Sequence, residues 1–218
     1  MKEMSFVLFA LLIIVSTTFS QNFKRYQFKS GKVVYQSSGA MVGTETMYFD
    51  NYGMLEVKNT KVAMEIMGIK QETDSKVIMD GNWVYSIDNI TKAANKMENP
   101  LFAMFPKGTD IEKVGEEMMI NLGGKKIGTE TIIGKSCDIW EVEQMMSKIW
   151  IWKSIPIKTE VNMMGMNITQ IATSVEVDIK VSPDEFKLPE GVNIQDMETI
   201  DLNGMMGNWN WEILFFYF

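Results

Sequence analysis

From Gly31 to Val181 the chain is a succession of short β-rich runs separated by turn signals, and that pattern leaves few folds open to it. The clearest run is Thr173 to Val181. There Thr173, Val175, Val177, Ile179 and Val181 alternate with Ser174, Glu176, Asp178 and Lys180. A period of two marks a strand with one buried face, the habit of antiparallel sheets. Ile157, Thr159 and Val161 oppose Lys158 and Glu160 in the same way. Turns are marked by Asp50-Asn51-Tyr52-Gly53, Asp80-Gly81-Asn82, Gly134-Lys135-Ser136 and Ser154-Ile155-Pro156. The runs add up to about ten strands, and a single twisted sheet of that width tends to curl. A curled sheet needs an apolar cover on its concave face.

One segment breaks the pattern. Pro100 and Pro106 bracket the apolar run Leu101 to Phe105. Thr109 then reads as a helix N-cap, with Asp110 and Glu112 in the first turn, where the helix dipole favours acids. Ile111, Val114 and Met118 recur at helical spacing, and Gly123-Gly124 ends the helix. This short amphipathic helix and the loop before it are the natural cover. The expected fold is therefore α+β and mainly β. It is a curled antiparallel sheet, a half-open barrel of about ten strands, covered by one or two short helices.

The two ends of the chain carry their own signals. Met1 to Ser20 reads as a secretory signal peptide, with an unbroken apolar run from Phe6 to Val15 and small residues at Thr18 and Ser20 before the cut. The run is about half the ~20 residues a spanning helix needs. Cleavage is expected after Ser20. Position 21 is Gln rather than Cys, so no lipid-anchor signature follows. The mature protein is expected to be exported to the periplasm or secreted, soluble, not lipid-anchored and without a transmembrane span. Residues 21–197 form the expected domain. Residues 198–218 are an apolar tail ending Trp209-Asn210-Trp211-Glu212-Ile213-Leu214-Phe215-Phe216-Tyr217-Phe218. Several readings of the tail stay open: a strand added to a partner, a segment docked on the chain's own sheet, or the product of a frameshift or read-through.

The chemistry the chain lacks is as informative. There is no histidine, which removes Ser-His and Cys-His mechanisms and most zinc sites. Cys137 is the lone cysteine and reads as an inert thiol near a strand start. The net charge of −7 and the absence of a basic stripe speak against nucleic acid. Glu141 with Glu143, and Glu116 with Glu117, have no motif around them, so no enzymatic activity is expected. No metal or cofactor is expected either. Met163-Met164-Gly165-Met166 could bind Cu(I) through thioethers, but no His or Cys stands nearby to support it.

Between Gly134 and Val192 the chain carries Gly134-Lys135-Ser136-Cys137-Asp138-Ile139-Trp140, then Ile151-Trp152-Lys153-Ser154-Ile155-Pro156-Ile157-Lys158-Thr159-Glu160, then Phe186-Lys187-Leu188-Pro189-Glu190-Gly191-Val192. This pattern resembles the LolA/LolB-like lipoprotein-carrier superfamily, nearest to an uncharacterised exported bacterial branch. The resemblance implies a half-open barrel with helices as a lid over a cavity for acyl chains. Those proteins latch the lid with a buried Arg, whereas the only arginine here is Arg25, ahead of the first strand.

The expected function is non-catalytic binding of a hydrophobic ligand, a lipid or acyl chain, in the concave face, in lipid or lipoprotein trafficking. The alternative is an envelope protein-interaction or assembly module with no small ligand, to which the aromatic tail points. The twenty methionines suit an adaptable apolar pocket. Candidate ligand contacts are Phe102, Met104, Phe105, Met118, Trp140, Trp150 and Trp152. Trp150 and Trp152 share one face of their strand, opposite Ile149 and Ile151.

Overall fold

The computed structural model describes residues 24–66, 68–99, 116, 119–120, 123–163 and 165–196. The expected signal peptide, the run Leu101 to Phe105, most of the expected helix and residues 197–218 lie outside these residues.

Six strands come first: β1 (Gly31–Gly39), β2 (Met41–Asp50), β3 (Leu55–Ile66), β4 (Ile69–Asp80), β5 (Trp83–Asp88) and β6 (Ala93–Glu98). Six more follow: β7 (Gly124–Ile132), β8 (Lys135–Val142), β9 (Ser147–Trp152), β10 (Ile155–Met163), β11 (Met166–Val177) and β12 (Asn193–Asp196). All twelve belong to one sheet in the order β12-β6-β5-β4-β3-β2-β1-β11-β10-β9-β8-β7. The sheet is open, because β12 and β7 stand at opposite ends of that order. The mainly β architecture expected from the alternation is present, with twelve strands rather than ten. Among the described residues, helix is confined to Glu116, Met119, Ile120 and short 3-10 turns.

The topology is two meanders side by side. Strands β1 to β6 pair in chain order through hairpins, and so do β7 to β11. The ladder between β1 and β11 joins them, from Gly31 opposite Val177 to Gly39 opposite Ile168. The alternating run therefore does what its pattern requires, with Val175 opposite Val33 in the joining ladder. It ends at Val177 rather than Val181, because Asp178 takes a positive φ of 53° that breaks the extended chain. All pairings are antiparallel except β12, which runs parallel to β6.

The largest core cluster spans both meanders. Val33, Tyr35, Met47 and Phe49 come from β1 and β2, and Cys137, Trp150, Ile155 and Ile157 from β8 to β10. Tyr35 reaches across to donate its hydroxyl to the Pro156 carbonyl at 2.9 Å. Cys137 is fully buried in this cluster. A second cluster, Val57, Ile78, Ile87 and Ala94, lies on the other face of the first meander. The register makes this explicit: Phe49 faces Glu56, and Tyr48 faces Val57. Phe186 and Val192 pack onto this second cluster. The Phe-Lys-Leu-Pro-Glu-Gly-Val segment thus closes the back of the sheet.

The chain ahead of β1 closes the front. Arg25 and Tyr26 bind the buried carboxylate of Glu56 on β3. The guanidinium lies 3.0 Å from Oε2, and the Tyr26 hydroxyl donates to the same oxygen. Lys58 Nζ stands 3.8 Å from the other oxygen. A buried charge is tolerated only when paired and hydrogen-bonded in this way. Arg25 is therefore an interior residue that ties the first described segment to the sheet.

Two outcomes follow from this buried cluster. Glu56→Ala removes the shared acceptor of Arg25 and Tyr26 and is expected to cost about 3 kcal/mol, read by urea denaturation. Burial also pushes the Tyr26 and Tyr35 phenols well above their ordinary value of 10.0; at Tyr26 Arg25 pulls back and Glu56 adds to the rise. The folded state thus keeps protons that the unfolded chain loses. Stability is full below pH 10 and falls above it, by about 1.4 kcal/mol per pH unit for each tyrosine. Tyr26→Phe with Tyr35→Phe is expected to flatten that alkaline decline in a pH series of denaturation curves.

Candidate functional site

A row of residues crosses five strands of the second meander. Gly124 pairs with Val142, Val142 with Ser147, Ser147 with Val161 and Val161 with Ile168. Paired residues in antiparallel strands share a face. All five are buried. The period-two patterns of β8 and β10 bring the valines inward, and the hairpin registers align them.

At one end the row is covered. Gly123 takes φ +77° and donates its N–H to the Ile120 carbonyl at 2.9 Å, which closes the preceding helical turn. The expected helix stop at Gly123-Gly124 is where the described helical residues end. Met119 on that turn packs against Trp140, Val142 and Ile149. The turn sits so close that a Cβ on Gly124 would lie 2.5 Å from the Met119 carbonyl oxygen.

At the other end the row floors a groove of about 590 Å3. Val142, Ser147, Val161 and Ile168 form its floor. Met146, Gly165 and Asn167 stand at the hairpin tips. Glu141, Lys148 and Glu160 also line the groove, but they belong to the adjacent pairing row and so direct their side chains to the opposite face of the sheet. Their charges are matched locally: Lys148 pairs with Glu141 at 3.2 Å and Lys158 with Glu160 at 2.6 Å. Met146 adopts the left-handed conformation that ends the 3-10 turn Glu143–Met145, and more than half of its surface stays exposed. Ser147 Oγ is buried and has no hydrogen-bond partner among the described residues.

The candidate residues named from the sequence divide. Phe102, Met104, Phe105 and Met118 lie outside the described residues. Trp150 and Trp152 do share a face: Trp150 belongs to the large core, and Trp152 packs against it half-buried. Trp140 lies on the opposite face, because the register sets Ile139 opposite Trp150 and Trp140 opposite Ile149. The three tryptophans therefore do not line one cavity, and Trp140 alone joins the cluster beneath Met119. Met119, Ser147 and Ile168 were not singled out from the sequence, and Gly124 only as part of a helix stop. Each is ordinary in its own segment, and only the pairing across strands makes the row. In Met163-Met164-Gly165-Met166, Met163 and Met166 pair across the tip of β10 and β11, and Met164 lies outside the described residues. Among the described residues no group of three His, Cys, Asp or Glu could hold a metal ion, and no helix is long and apolar enough to cross a membrane.

No protein-family profile and no curated protein sequence matches the chain. Solved structures do resemble it. An uncharacterized conserved protein from Thermus thermophilus shares 7% identity over 78% of this chain and 92% of that one, with a TM-score of 0.50. PNGF-II shares 11% identity over 82% of this chain and 33% of its own, with a TM-score of 0.40. A domain assigned to outer membrane lipoprotein sorting, from Vibrio parahaemolyticus, shares 8% identity over 74% of this chain and 91% of its own, with a TM-score of 0.28. The likeness is one of fold alone.

The close seat of the Met119 turn gives a test. Gly124→Ala forces a backbone contact apart and is expected to cost about 2 kcal/mol. Trp140 then loses part of its cover, so tryptophan emission should shift to the red before any unfolding. An unshifted spectrum at unchanged stability would show that the turn is not held on the sheet at Gly124.

Proposed function

We propose that this protein is an exported, non-catalytic carrier that binds a lipid or acyl chain in the groove over Val142, Ser147, Val161 and Ile168. The observation that carries the reading is the buried row itself, open as a groove at one end and covered by Met119 at the other. The groove volume of about 590 Å3 falls within the ~300–1,000 Å3 of small-molecule sites. An acyl chain lying along the row would run beneath the covering turn toward Trp140. Ser147 Oγ would meet a polar group of the ligand. On this reading Phe102, Met104, Phe105 and Met118 belong to the cover, and Met1 to Ser20 directs export. Residues 21–197 are the carrier domain.

A second reading rests on β7. Lys125 to Thr131 are exposed and lie on the last strand of the sheet order, where a protein partner could add a strand. It keeps the envelope-assembly alternative in view.

Native mass spectrometry of protein purified gently from a bacterial envelope separates the two. The carrier reading expects a co-purifying lipid released by organic extraction. It expects Met146→Glu, at an exposed position on the groove, to cut the recovered lipid by about tenfold, because a carboxylate resists burial against an acyl chain. A protein that stays free of ligand when fatty acids and phospholipids are offered would overturn it.

A further inference from the structure

At the far end of β9 from the groove lies a second constellation. The rings of Phe28 and Trp152 stack with centroids 5.1 Å apart and an interplanar angle of 30°. Lys135 Nζ stands 4.4 Å from the Trp152 centroid. Lys153 Nζ stands 5.3 Å from the Phe28 centroid and 5.8 Å from that of Trp152. Both rings are half-buried, so each keeps an accessible portion.

With Lys24, Lys29, Lys32, Lys76, Lys92 and Lys180, these two stand outside the ion pairs of the described residues. Lys58, Lys61, Lys70, Lys96, Lys125, Lys126, Lys148, Lys158 and Lys187 each lie within 4.0 Å of a carboxylate. Lys135 and Lys153 have no such partner among the described residues, in a chain whose net charge is −7. The carboxylates on the neighbouring strands are engaged elsewhere. Glu130 accepts from Trp150 Nε1 at 2.6 Å, and Asp138 pairs with Lys126 at 2.8 Å.

The backbone adds an independent observation. Lys153 and Ser154 form the turn between β9 and β10 with φ of 48° and 66°. A two-residue hairpin turn of this kind favours Asn-Gly or Gly-Gly. Non-glycine residues adopt this region less readily than glycine. The turn carries Lys153 over the two aromatic rings.

We propose that Phe28, Trp152, Lys135 and Lys153 form a binding site for an amphiphile with an anionic, phosphate-bearing headgroup. The two ammonium groups flank the headgroup as point charges, and the apolar body lies on the ring pair. The site is separate from the groove at Ser147 and does not depend on the reading given to it.

Calorimetric titration of the purified protein with dodecyl phosphate, inorganic phosphate and dodecyl maltoside, each below its micellar concentration, tests the proposal. Dodecyl phosphate is expected to bind at least about tenfold more tightly than either of the others, since each lacks one of the two contacts. Lys135→Gln with Lys153→Gln is expected to weaken it by at least about tenfold while leaving thermal unfolding unchanged, because both changes are at accessible side chains. Met146→Glu, at the groove, is expected to leave it unchanged. Equal binding of inorganic phosphate and dodecyl phosphate, both lost in the lysine variant, would make this a free-anion site and overturn the amphiphile. Binding unaffected by the lysine variant, binding abolished by Met146→Glu, or no binding of dodecyl phosphate would each overturn the site.

Discussion

The ladder between β1 and β11 is the constraint on which the rest of the structure depends. Each meander is local, built from hairpins whose strands are neighbours in sequence. The joining ladder pairs residues nearly the whole domain apart, as with Gly31 and Val177. Closing so long a loop costs conformational entropy before any contact repays it. The repayment is the large core, which draws Val33 and Phe49 from one side of the ladder and Trp150 and Ile155 from the other. Neither meander can bury those residues alone.

The two faces of the sheet are then closed by different means. On the first meander, Phe186 and Val192 cover the back, while Arg25 and Tyr26 hold Glu56 on the other face. On the second meander, the Met119 turn covers Trp140, and the row beyond it continues into the groove. The groove lies where the apolar row runs past its cover, so the same valines that pack the domain also line it.

Much of this was legible in the residues. Period-two runs, the Asp80-Gly81-Asn82 turn and the break at Gly123-Gly124 named most of the strands and the end of the helical turn. Alternation also put Trp150 and Trp152 on one face. Arg25 was less legible. Its partner Glu56 is 31 positions away, and nothing near either residue announces the other. The reversal of Trp140 relative to Trp150 was hidden for a related reason. Two residues on different strands share a face or not according to register, which hairpin geometry sets and a one-residue shift reverses. Here the β8–β9 ladder is regular, and the turn from Glu143 to Met146 between the two strands sets that parity.

The sequence by itself determined a mainly β chain of short alternating strands, with no histidine chemistry and a single thiol, because periodicity and composition are local properties. Tertiary structure decided which strands meet, which tryptophan faces which core, that Gly124 to Ile168 form one row, and that Lys135 and Lys153 converge on Phe28 and Trp152. Those facts depend on pairings between distant segments. Such pairings are selected by the total burial they achieve together, and no single segment carries that information.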